Sequence, residues 1–224
     1  MKTTVIIVNC VISILLIAGL SAGQNNAVTP DLSKITRQDG WKIFNRNADS
    51  FEKIGTTVVH LDGRPGDGFV WLEGFEFNNG TIEVDLKGKD LQGNNFVGIA
   101  FRGVDEKTYD VVYFRPFNFV SSDSIRRNHS VQYISHPIYT WEKLRSDSPG
   151  KYESRIDPPP DPDGFFHARI VVSKPKISVY VNNNEKPCLV VNELSERTGG
   201  LIGLWAGNYS DGSFMNLKIE GRQK

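Results

Sequence analysis

The sequence predicts an all-β domain, a sandwich or barrel, and three observations carry that prediction. From Trp41 onward, short stretches rich in Val, Ile, Phe and Tyr alternate with clusters of Gly, Asn and Asp, the pattern of short strands joined by tight turns. Thr81 to Lys87 alternates strictly, with Ile82, Val84 and Leu86 on one face and Thr81, Glu83, Asp85 and Lys87 on the other, as expected of a sheet that is wet on one side. The 224 residues are 39% hydrophobic and 11% aromatic, enough for a large core, and 21 Gly with 11 Pro provide for many turns.

Taken in order, the chain opens with Met1-Lys2, an apolar run from Val5 to Leu20 and the small residues Ser21, Ala22 and Gly23. This reads as a secretory signal peptide over residues 1–23, which implies a secreted or periplasmic protein. A membrane anchor is the alternative, but the run spans about 24 Å as a helix against a hydrocarbon core of about 30 Å, so no stable membrane insertion is expected after cleavage. Cleavage after Gly23 leaves Cys188 as the only cysteine, so the exported fold is expected to rest on its core and not on a disulfide. Residues 24–40 form an N-terminal segment, and residues 41–224 form one sandwich domain, with neither repeat nor linker to divide it.

Strands are predicted at Trp41 to Asn45, Thr56 to Leu61, Phe69 to Leu72, Thr81 to Lys87, Phe96 to Arg102 and Thr108 to Phe114. A second set follows at Phe165 to Ser173, Ile177 to Val181, Cys188 to Val191, Leu201 to Trp205 and Phe214 to Glu220. Asn182 to Glu185 lies between two apolar runs and predicts a hairpin turn. Between the two sets stands an insert of about 116–164, rich in proline, in which Pro137 to Arg145 predicts a short helix with Ile138, Trp141 and Leu144 on its inner stripe.

Four segments carry a family resemblance: FNNGTIEVDLKG (Phe77 to Gly88), NFVGIAFRG (Asn95 to Gly103), FFHARIVVSKPKISVYVNN (Phe165 to Asn183) and GGLIGLWAGNYSDGSFMNLKIE (Gly199 to Glu220). Together they resemble the concanavalin A-like lectin/glucanase superfamily, and within it exported bacterial 3-keto-disaccharide hydrolase-like domains and laminin-G-like domains. The resemblance spans roughly Trp41 to Glu220. It implies a jelly-roll sandwich of two antiparallel sheets carrying a long loop and short-helix insert, and a carbohydrate-binding or carbohydrate-processing function. Laminarinase-type members carry a strand of the form E-x-D-x-(x)-E. Here Glu83-Val84-Asp85 is followed by Leu86, Lys87 and Gly88, so the second carboxylate is missing at this strand.

The residues that suit a sugar gather around the insert, because planar rings, Arg forks and amides hold a sugar's faces and hydroxyls. Alternation places Tyr113 and Arg115 on one face, with Arg102 on the same face of the preceding strand, while His167 either faces the same groove or is a plain surface histidine. Gln132, His136 and Trp141 complete the expected binding set. If the protein is an enzyme it is expected to be a glycoside hydrolase, with Glu142 and Glu153 as the candidate carboxylates because Trp141 and Tyr152 stand beside them to desolvate a carboxyl.

Other chemistries find little support. Asp161 and Asp163 before Gly164 form at most half a calcium loop, and no metal set or other cofactor motif is expected. No nucleophile elbow, P-loop or dinucleotide fingerprint is present. Lys and Arg balance Asp and Glu at 26 each, so no net field draws the chain to nucleic acid. The expected partner is a carbohydrate, with a non-enzymatic envelope interaction domain as the remaining alternative.

Overall fold

Ile82, Val84 and Leu86 are fully buried while Glu83, Asp85 and Lys87 are half-exposed, so the strict alternation marks a strand with one wet face. The computed structural model describes residues 26–221, and the signal peptide expected over residues 1–23 lies outside the described residues. Seven strands come first: β1 (Asn26–Val28), β2 (Trp41–Phe44), β3 (Ala48–Lys53), β4 (Thr56–Leu61), β5 (Gly68–Leu72), β6 (Gly80–Lys87) and β7 (Val97–Gly103). Then follow β8 (Asp110–Phe114), helix α1 (Ser124–Arg127), β9 (Val131–Ser135), helix α2 (Trp141–Asp147) and β10 (Glu153–Ser154). The chain closes with β11 (Phe166–Ser173), β12 (Lys176–Val181), β13 (Leu189–Asn192), β14 (Leu201–Ala206) and β15 (Gly212–Gly221).

Every strand pairing is antiparallel. The first sheet runs β13-β12-β11-β6-β15-β4-β3, with β1 also on β15, and the second runs β10-β9-β8-β7-β14-β5-β2. Between them the inward faces form one core, in which Phe114 meets Phe166 edge-on and Phe101 stacks on Tyr133. This is the two-sheet antiparallel sandwich that the resemblance implies.

The two sheets differ in their outer faces. The first alternates buried and half-exposed residues, whereas β7, β8 and β9 of the second are buried along their whole length. Strands buried on both sides have something lying on their outer face. Here it is the insert. Residues 116–164 are not one loop around a single helix: they contribute β9 and β10 to the second sheet, and α1 and α2 to its cover. The helix begins at Trp141, where Thr140 caps it by accepting from the Lys143 amide at 3.4 Å. Ile138 therefore lies in the preceding turn and is exposed, and only Leu144 of the expected stripe is buried.

The segment ahead of Trp41 joins the sandwich. Leu32 and Ile35 are buried in the core from a 3-10 turn over Leu32–Arg37, capped by the Asp31 side chain, and β1 adds to the sheet beside β15. The hairpin between β12 and β13 forms as expected, with Asn182 and Asn183 both at positive φ. Among the described residues no helix is long and apolar enough to cross a membrane.

Candidate functional site

Antiparallel register lines up residues of successive strands on one face. Across the second sheet, Glu153 (β10) stands opposite Gln132 (β9), which stands opposite Tyr113 (β8), followed by Gly98 (β7), Trp205 (β14) and Phe69 (β5). This row points outward, since the next residue along β8, Phe114, points into the core. Gly98 is the gap in the row. A Cβ there would stand only 2.8 Å from the Cβ of Tyr113, so the absence of a side chain lets the rings of Tyr113 and Trp205 meet across it at 5.2 Å.

Over this floor the insert raises one wall. After β8 the chain turns back at Pro116–Asn118, and the Asp123 side chain caps α1 by accepting from the Ile125 amide at 2.8 Å. That geometry brings Arg126 and His129 over the sheet, while α2 presents Trp141, Glu142 and Arg145. The opposite wall comes from two distant turns fastened by the buried Arg46. Its Nη2 donates to Gly66 O (3.0 Å), Ala206 O (2.8 Å) and Gly207 O (2.7 Å), and the Gly66 amide donates to Asn208 Oδ1 at 2.7 Å. Asp67 and Asn208 line the groove from this side. The groove between these walls has a volume of about 770 Å³.

A polar network fixes the floor against the insert. Arg115 Nη2 donates to Tyr113 Oη at 2.6 Å and to Gln132 Oε1, and Tyr113 Oη donates to the same Gln132 oxygen at 2.8 Å. Arg115 Nη1 donates to His129 O at 3.0 Å, and the guanidinium lies over the Tyr113 ring at 4.8 Å. Behind them sits Glu153, whose side chain is 2% exposed. It accepts from Arg145 Nε at 3.1 Å and Nη2 at 2.7 Å, with His129 Nε2 at 3.4 Å and Arg115 Nη1 at 3.8 Å. Such a network, in which nearly every partner is satisfied, holds its members in place before any ligand arrives.

Burial dominates the acid–base properties here. It pushes the Tyr113 phenol up to about 12, against the pull of Arg115, so this hydroxyl stays protonated as a donor. Burial also lowers the Arg115 guanidinium, and it depresses His129 more than the Glu153 carboxylate beside it can restore. His136 is lowered by burial as well; it stacks on Tyr109 at 4.9 Å. Burial raises Tyr109 far above the ordinary phenol range, while its hydroxyl donates to Asp67 Oδ2 at 2.6 Å.

Of the residues expected from the sequence, the structure brings Tyr113, Arg115, His136, Trp141 and Glu142 onto one groove. Gln132 and Glu153 stand behind its wall, holding the arginines. Arg102 is elsewhere. Between Ala100 and Gly103 the register against β14 slips by one residue, a β-bulge with Arg102 at φ 50. The bulge breaks the alternation on which the shared face was reckoned. Arg102 is instead fully buried, donating to Glu193 Oε1 at 2.8 Å and to Asn79 Oδ1 at 3.2 Å. His167 is on β11 of the other sheet, paired with Asp85 at 2.8 Å, and so faces away from the groove. Asp161 Oδ1 accepts from the Asp163 amide and Asp163 Oδ1 from the Asp90 amide, each at 3.0 Å. Among the described residues no group of three or more His, Cys, Asp or Glu is placed to hold a metal ion.

Sequence reasoning missed other contributors as well, among them Arg126 and His129 of the insert. Arg145 had a signal, since it follows Trp141 by one helical turn and its guanidinium lies 5.1 Å from that ring. Trp205 follows from its register with Gly98. Asp67 and Asn208 carry no sequence signal, because only the folded Arg46 brings their turns together.

No family model matches the chain, and no curated protein matches it. Solved structures do. The carbohydrate-binding module CBM66 from Bacillus subtilis aligns with 80% of this chain and 95% of its own at 16% identity, with a TM-score of 0.56. A native glycosidic hydrolase aligns over 90% and 97% of the two chains at 13% identity and a TM-score of 0.54. The carbohydrate recognition domain of Emp46p aligns over 87% and 93% at 14% identity and a TM-score of 0.52. With the two antiparallel sheets described above, these likenesses show the fold that the resemblance implies, a concanavalin A-like jelly-roll sandwich.

Proposed function

We propose that the protein is an exported module that binds an oligosaccharide in the groove between the second sheet and the insert. The observation that carries this reading is the groove itself: about 770 Å³, floored by Tyr113 and Trp205, with Trp141 and several arginines on its wall. Rings cover the apolar faces of a sugar, and fixed guanidinium and amide donors meet its hydroxyls. The similar solved structures, a carbohydrate-binding module and a carbohydrate recognition domain among them, support the reading. Export rests on the apolar run at residues 5–20 followed by small residues.

Binding is favoured over hydrolysis by the state of Glu153. Both its oxygens are engaged by Arg145, so it acts as an anchor for the arginines. A processing activity, including one of the 3-keto-disaccharide type, is the second reading. It is favoured by Glu142 and Asp67, two carboxylates that do line the groove.

The test is a broad glycan panel scored both for binding and for cleavage, with wild type and Trp141→Ala. Trp141 is 41% exposed, so the variant keeps its fold. Loss of about 2 kcal/mol or more of affinity marks it as a binding hot spot. If no glycan binds or is cleaved, the carbohydrate function falls and an envelope interaction domain takes its place.

A further inference from the structure

The groove is electrically polarised along its length. At the end where the insert leaves β8, Arg115, Arg126, Arg145 and His129 gather around Glu153 and Asp123. Three arginines there share two carboxylates, so the end carries excess positive charge. Their donors are not used up. Arg145 spends Nε and Nη2 on Glu153 and keeps Nη1, and Arg126 meets Asp123 only through Nε at 3.6 Å, keeping both Nη atoms. The other end carries the opposite sign, its two carboxylates outweighing the single buried Arg46 beside Asp67. His136 lies in the field of Asp67 and Glu142, the two carboxylates of the lining, and Asp67 accepts from Tyr109.

We propose that the groove selects an anionic oligosaccharide, with a carboxylate- or sulfate-bearing unit on Arg126, Arg145 and His129 and hydroxyl-rich neutral units extending toward Asp67 and Glu142. The inference rests on the oligosaccharide reading above and narrows it. Guanidinium forks bind carboxylate and sulfate through paired hydrogen bonds that neutral hydroxyls cannot match. Carboxylates at the far end accept from sugar hydroxyls and repel a second anion, so the same charges that attract the ligand also orient it. Trp141, lying against Arg145 between the two ends, offers the ring on which the middle unit stacks.

The experiment is calorimetric titration of the full chain with an oligogalacturonate and with its fully methyl-esterified form, which keeps the sugar backbone and removes the charge. A sulfated oligosaccharide and its desulfated form make a parallel pair, and a neutral glycan panel completes the set. Replacing neutral hydrogen bonds by charge-assisted ones adds about 1.4 kcal/mol, so the anionic member of at least one pair should bind about tenfold more tightly than its neutral form. That preference should shrink in high salt and in Arg126→Gln, a variant of an exposed residue. Which pair shows the preference distinguishes carboxylate from sulfate. Equal affinity within both pairs, or binding confined to the neutral panel, overturns the inference and leaves the oligosaccharide reading standing. Binding to nothing in the set removes both.

Discussion

Glu153→Gln separates an anchoring carboxylate from a catalytic one. In the wild type the Glu153 side chain is 2% exposed, and it neutralises Arg115, 6% exposed at 3.8 Å, and Arg145, 33% exposed at 2.7 Å. Breaking a fully buried pair costs about 3–5 kcal/mol, because the surviving charge is left without compensation. Arg145 can swing into water, and its share is discounted accordingly. Arg115 cannot, since Tyr113, Gln132 and the His129 carbonyl hold it in place. The amide that replaces the carboxylate also turns a donor toward a guanidinium. Together these set a loss of about 2–3 kcal/mol. Urea unfolding measures it as a lower midpoint at unchanged slope. Glu142→Gln, an exposed change on the groove rim, should stay within about 0.5 kcal/mol and serves as the control. A Glu153→Gln protein as stable as wild type refutes the anchoring role, and if such a protein had also lost a glycosidase activity, Glu153 would be the acid/base residue.

Further expectations address other parts of the molecule. Gly98→Ala, which presses a methyl group against Tyr113 and the β8 backbone, should destabilise by about 1–3 kcal/mol in the same unfolding assay and weaken glycan binding. Burial pushes the Cys188 thiol up to about 12, so alkylation by iodoacetamide at pH 7.5 should be slow until the protein is unfolded. The hydrogen bond to Asp85 raises the His167 pKa above its ordinary 6.5, so its contribution to stability is complete below that value and is lost as pH rises through the folded pKa. Urea midpoints of wild type should therefore decline through that window more than those of His167→Ala. His129 is lowered by burial, and a bound anion would raise it, so affinity for an acidic glycan should grow as pH falls toward its depressed value in the free protein. Calorimetry at a series of pH values checks this.

How much of the molecule was legible in the sequence depended on whether one residue's environment was set by its neighbours in the chain. β6 and β11 alternate because only one of their faces is covered, and they read directly. β3, with the sequence ADSFEK, is an exposed edge strand whose apolar content is little more than a single Phe, so no pattern marks it. β9 carries Gln132 in a buried position, where a polar residue is tolerated only because Arg115 and Tyr113 bond to it. That partnership is invisible without the fold. The same holds at Arg102: one added residue against β14 turned a groove residue into a buried partner of Glu193. Tyr113, Arg115, Trp141 and Glu142 were readable as a group because one insert and one strand supply them all. Asp67 and Asn208 were not, since Arg46 joins their turns across the sandwich.

The central claim, that the groove over Tyr113 and Trp205 is where a saccharide binds, is tested most directly by the indole signals of the four tryptophans. In a ¹⁵N-labelled protein titrated with a glycan that binds, the Nε1–H resonances of Trp141 and Trp205, which line the groove, should shift. Those of Trp41, which donates to Asp31 O at 3.2 Å, and of Trp71, which is buried outside the lining, should stay in place. Saturating glycan that leaves Trp141 and Trp205 unmoved, or moves Trp41 instead, contradicts the claim.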